Sequence, residues 1–237
     1  EEAREGKNCP LLLCSPSPSK EIKNVSRSTF QRSRLRLQRA LEEEIRRQGQ
    51  RRGEEQKDRN YFIERVENLL ERGGSENLEE KVDQFRRGFD AERPAADSDF
   101  QAYVRSVVDL YFEEMGTENP ASSLTYFAKR IGFAAPLRGP GEKYYRCTPQ
   151  FLDALVCALL EPDEVVTEAE FWERAWESFG LFCGARRRDA LDILTEKNIH
   201  QASSEKLRKN ALSVREEMDK QGYASTYADS ATLIDAS

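Results

Sequence analysis

Apolar residues in this chain recur three and four positions apart in one segment after another, and glycine closes most of these segments. That spacing puts side chains on one stripe of an α-helix, where a half-buried strand would alternate strictly. Phe30, Leu37, Leu41 and Ile45 form the first series, beginning after Ser28 and punctuated by Gly49 and Gly53. Phe62, Val66 and Leu69 form the second, in a helix expected over about Lys57 to Arg72 and stopped by Gly73-Gly74. A weaker third helix is expected over about Leu78 to Phe89. Phe100, Val104, Val107, Val108, Tyr111 and Met115 make the broadest stripe, opened by a cap at Asp97 or Ser98 and read as core.

Asn119-Pro120 pairs an N-cap residue with proline at the first helical position, opening a short helix through Phe127 and Ile131 to Gly132. The stretch Ala134 to Lys143 carries Pro136 and Pro140, and glycines cluster from Gly132 to Gly141, the composition of a connection between domains. The same helical grammar then resumes. Thr148-Pro149 starts a helix with Phe151, Leu152, Leu155, Val156 and Leu159; Thr167 and Glu170 form a capping box before Phe171, Ala175, Trp176 and Phe179. Ala185 to about Asn198 is a third candidate, and Ser204 is expected to cap a fourth, with Leu207, Ala211, Val214 and Met218 on one face and Gly222 at its end. Tyr223 to Tyr227 and Ala231 to Ile234 break the period and read as a small hairpin. Helices followed by a terminal hairpin is the order of a winged helix.

The expected fold class is therefore mainly α: a helical N-terminal region and a C-terminal winged-helix-like module with a small β-hairpin. With 237 residues, 38% of them hydrophobic, the chain can bury one sizeable core or two modest ones. Four divisions are expected: an extended or disordered tail over 1–26, a helical region over 27–132, a Gly/Pro-rich hinge over 133–143 and the winged-helix-like module over 144–237. Residues 1–26 hold three prolines, several serines and one apolar piece, Cys9 to Cys14, too little to fold alone.

Several function classes are disfavoured by what the chain lacks. One histidine, His200, lies in a polar stretch beside Asn198 and Gln201, so a Ser/His/Asp or Cys/His catalytic set is not expected. Five cysteines are scattered, and Cys9 and Cys14 are the only close pair, which fits neither a zinc site nor a disulfide framework. No phosphate-binding glycine motif occurs, and Gly139-Pro140-Gly141 reads as linker. Carboxylate pairs such as Glu113-Glu114 are expected of solvated helix faces among 43 acidic residues. No catalytic residue, metal ligand or cofactor is expected, and the chain is not read as an enzyme. The apolar runs are too short for a membrane span, no secretory leader opens the chain, and its Glu-Glu-Ala-Arg start reads as a trimmed piece of a longer protein. A cytoplasmic setting is expected.

Charge is more informative in its distribution than in its net value of -6. Lys20 to Arg52 holds 11 Lys or Arg against 4 Asp or Glu, whereas Phe151 to Ser237 holds 10 against 17. Guanidinium suits phosphate oxygens, so Arg27, Arg32, Arg34, Arg36, Arg39, Arg46, Arg47, Arg51 and Arg52, with the cluster Arg186, Arg187 and Arg188, are the candidate nucleic-acid contacts. The competing reading is a solvated face with internal pairs, since Glu42 and Glu43 sit four residues before Arg46 and Arg47. On the last helix of the module the outward residues Glu205, Lys209, Ser213, Glu216 and Lys220 include both signs and would repel phosphate as much as attract it. Phe30, Leu37, Leu41, Ile45 and Trp172 are the candidate partner-binding residues.

The run Tyr144-Tyr145-Arg146-Cys147-Thr148-Pro149, then Phe151 through Val156, then Glu170-Phe171-Trp172 through Phe179-Gly180-Leu181 resembles segments of helical subunits of bacterial phage-defence gene clusters. The resemblance covers about Tyr144 to Gly184 and implies a setting, antiviral defence with a multi-protein or DNA partner, and no chemistry. The function expected is a non-catalytic scaffold or adaptor subunit of a multi-protein assembly that handles nucleic acid or serves antiviral defence. The alternative is a DNA-binding protein using the basic helix around residues 27–52. Another protein subunit is the expected partner, nucleic acid the second, and oligomeric state is not legible.

Overall fold

The computed structural model describes residues 10–74, 76–113, 120–136, 142–184, 194, 202–227 and 231–236. Among them are eight α-helices and seven short strands, so the chain is mainly helical. The helices are α1 (Lys20–Arg51), α2 (Arg59–Arg72), α3 (Leu78–Glu92), α4 (Asp99–Glu113), α5 (Pro120–Arg130), α6 (Pro149–Leu159), α7 (Glu168–Phe179) and α8 (Ser204–Lys220). The strands are β1 (Leu11–Leu12), β2 (Ala134–Ala135), β3 (Tyr144–Tyr145), β4 (Val165–Thr167), β5 (Leu181–Phe182), β6 (Ala224–Thr226) and β7 (Thr232–Asp235). No helix among the described residues is long and apolar enough to cross a membrane.

Tertiary contacts divide the chain into two compact units, residues 1–33 with 125–237 and residues 34–124. The division falls inside α1 and inside α5.

The first unit is built around α6, α7 and α8. Thr148 caps α6 by accepting from the Phe151 N–H at 3.3 Å, with Pro149 in its first turn, and Thr167 caps α7 by accepting from Glu170 N–H at 3.2 Å. Gly180 ends α7 in the left-handed conformation, φ 68°, which a β-carbon would disfavour. Leu152, Val156, Phe171, Ala175, Val214, Met218 and Ile234 are buried together in one cluster. Three strands form an antiparallel sheet in the order β4-β7-β6, with Val166 opposite Ile234 and Ala224 also opposite Ile234.

The N-terminal segment is part of this core. β1 pairs in parallel with β5, Leu11 opposite Leu181, and Leu12, Leu13 and Cys14 are fully buried. Polar groups fix it on several sides. The Ser26 hydroxyl donates to the Leu12 carbonyl at 2.7 Å and accepts from the Tyr145 N–H at 2.9 Å. Asn210, on α8, donates to the Leu13 carbonyl at 2.8 Å and the Cys183 carbonyl at 3.0 Å, and accepts from Ser15 N–H at 2.9 Å. Every one of these groups is buried, so each bond replaces one that water can no longer supply.

The second unit packs α2, α3 and α4 around an aromatic core. Phe62, Phe85, Phe89, Phe100 and Tyr103 are buried together, with Phe62 and Tyr103 stacked at 4.4 Å between ring centroids. Ile45 packs against this core from the later part of α1. A β-carbon at Gly49 would collide with the Phe100 ring, so that glycine admits the ring rather than ending the helix.

Three divisions read from the sequence meet a different arrangement. Residues 10–26, expected as tail, supply β1, buried core positions and the start of α1, because Ser19 accepts from the Ile22 N–H at 3.3 Å and opens the helix eight residues before Ser28. In the expected hinge at 133–143, Ala134 and Ala135 are buried and pair antiparallel with Tyr145 and Tyr144, while residues 137–141 lie outside the described residues. Residues 144–237 share their core with 10–33. The expected helix over Ala185 to Asn198 also lies outside the described residues, apart from Leu194.

Candidate interaction surfaces

Three surfaces bring chemistry-bearing side chains together: the basic residues of α1, the charged outer side of α8 and the end of α5. Along α1 the arginines differ in environment. Arg34 and Arg39 are exposed and have no ion-pair partner among the described residues. Arg32 and Arg36 are half-buried, and Arg36 is engaged with a neighbour. Arg27 is half-buried, donating to Asn24 at 3.2 Å and lying 3.9 Å from the Glu142 carboxylate. Arg46 is half-buried, whereas Arg47 is exposed but holds Glu44 through two bonds of 3.0 and 2.6 Å. Arg51 and Arg52 are exposed at the helix end. Arg186, Arg187, Arg188 and His200 lie outside the described residues.

The apolar candidates on α1 face inward in part. Phe30 packs against the first core with its ring 5.3 Å from that of Tyr145, Ile45 packs against the second, and Leu37 and Leu41 are half-buried. Trp172 is half-buried, edge-on to Phe171 at 5.3 Å, and Trp176 is half-buried, edge-on to Phe182 at 6.1 Å, so neither indole stands free.

α8 begins at Ser203, whose hydroxyl accepts from the Lys206 N–H, one residue before the expected cap. Its buried side carries Leu207, Asn210, Ala211, Val214 and Met218. Nearly all its cations have carboxylate partners. Lys206 meets Glu21 at 2.5 Å, Lys209 meets Glu205 at 2.7 Å, Lys220 meets Glu217 at 3.2 Å and Arg215 meets Glu168 at 3.8 Å. The Lys206 ammonium holds the Glu21 carboxyl at about 2, well below the usual range. Neutralised in this way, the helix presents little net field to a polyanion.

The end of α5 was not foreseen as a surface. Tyr126, Phe127 and Ile131 are 54%, 62% and 46% exposed, the densest group of exposed large apolar side chains among the described residues. Phe127 and Ile131 are one turn apart, and the Tyr126 and Phe127 rings meet edge to face at 6.0 Å. Arg130 lies over the Tyr126 ring at 5.2 Å. Beside them Lys143 donates to the Pro136 carbonyl at 3.3 Å, and burial and the adjacent Lys129 ammonium lower its pKa. No signal in the sequence singled this face out, since neighbours on a helix can share one core, as Phe62 with Ile63 and Phe151 with Leu152 do.

No group of three or more His, Cys, Asp or Glu among the described residues is placed to hold a metal ion. Cys14 and Cys147 are buried, and burial pushes both thiols up to about 12, away from the reactive thiolate; Cys183 is buried and Cys157 exposed. Comparison of the chain with protein-family models, with curated proteins and with solved structures finds no match.

Proposed function

We propose that the chain is a non-catalytic adaptor or scaffold subunit of a multi-protein assembly in the cytoplasm, and that residues 144–237 act in it as a winged-helix-like docking module. The order helix, strand, helix, helix, hairpin and the sheet order β4-β7-β6 support the winged-helix reading. β5, which lies between α7 and α8 in sequence and pairs in parallel with the N-terminal β1, is an addition to such a module.

The observation that carries protein docking over DNA binding is the internal pairing of α8. In a DNA-binding winged helix the corresponding helix would offer free cations to phosphates, whose contacts supply most non-specific affinity. Here Lys206, Lys209, Arg215 and Lys220 are each matched by a carboxylate of the same chain. The antiviral-defence setting rests on the resemblance over Tyr144 to Gly184 alone.

A second reading, direct duplex binding by α1, is favoured by the exposure of Arg34 and Arg39 without ion pairs among the described residues. Fluorescence anisotropy with a labelled 20-base-pair duplex separates the two. The adaptor reading expects no binding at ~1 µM protein and physiological salt, and a stoichiometric protein partner retained through a high-salt wash when the chain is purified from its source cell. Micromolar binding that falls steeply with salt and is lost when Arg32, Arg34, Arg36 and Arg39 are all changed to Glu would overturn it.

A further inference from the structure

We draw no further inference here: the strongest candidate, the exposed apolar face that Tyr126, Phe127 and Ile131 form at the end of α5, carries none because nothing in the structure shows what covers it.

Discussion

Replacing Asn210 by alanine tests whether α8 and the N-terminal segment are held together by buried polar bonds or only by apolar contact. Asn210 is 4% exposed and makes three bonds, to Ser15 N–H, the Leu13 carbonyl and the Cys183 carbonyl. Each lost bond costs about 1 kcal/mol if its partner regains water and up to ~3 if the partner stays buried and unpaired. Alanine recovers up to ~0.7 kcal/mol of helix propensity at the same position. With three partners held in a packed interior, the net loss is about 3 kcal/mol. The chain has two tryptophans, Trp172 and Trp176, and both lie in the first unit, so their fluorescence reports that unit alone. For a urea slope of ~2 kcal/mol per M, the midpoint falls by ~1.5 M. Arg208→Ala, exposed on the same helix, should move it by less than about 0.3 M. An Asn210→Ala midpoint within that smaller range would refute the reasoning, because the three bonds would then contribute nothing net.

Two further outcomes follow from the fold. A chain starting at Tyr144 should lack cooperative unfolding and show collapsed amide dispersion by NMR, since it loses Leu12, Leu13, Ile22 and Val25, all at most 1% exposed, each worth about 1.5–3 kcal/mol of burial; co-expression with residues 1–136 should restore it, and a cooperatively folded 144–237 fragment would contradict the shared core. The Glu21 carboxyl, held at about 2 against an unfolded value near 4.5, favours the folded state above the unfolded value and loses that contribution as pH falls through the folded one; the midpoint difference between the parent and Lys206→Gln should therefore shrink between pH 4.5 and 2, and a difference constant over that range would show that the pair contributes nothing.

The parts of the fold that were legible are those governed by local chemistry. Thr148-Pro149 and Thr167 cap α6 and α7 where the sequence places them, and the terminal hairpin pairs Thr226 with Thr232. What escaped has non-local causes. β1 finds its partner β5 at Leu181, 170 residues later, and no period in a two-residue strand announces that pairing. The first turns of α1 were hidden because Ser26 and Thr29, fully buried, occupy its inward face with hydroxyls that bond the N-terminal segment, so polarity masked the stripe that Ile22 and Val25 begin. Composition marked Ala134 to Lys143 as a connection, but composition reports which backbone conformations are easy, and Ala134 and Ala135 pair with β3 all the same.

The candidate site was harder to read for a related reason. A run of like charges in sequence becomes a phosphate surface only if its members share one face and stay unpaired, and neither condition is visible without the partners. Arg47 is held by Glu44 within its own helix, but Lys206 on α8 is held by Glu21, 185 residues earlier, and Arg215 by Glu168. Counting charges by segment therefore overstated what α1 offers and could not reveal that α8 is neutralised in place. Apolar surplus is no easier to place. Adjacent residues on a helix can share one core, as Phe62 with Ile63 and Phe151 with Leu152 do, so the neighbouring rings of Tyr126 and Phe127 do not announce an exposed face in the sequence. In the structure both rings remain more than half exposed, with Ile131 beside them. Of the three surfaces, the end of α5 is thus the one that rests on apolar exposure rather than on charge, and packing, not local pattern, reveals it.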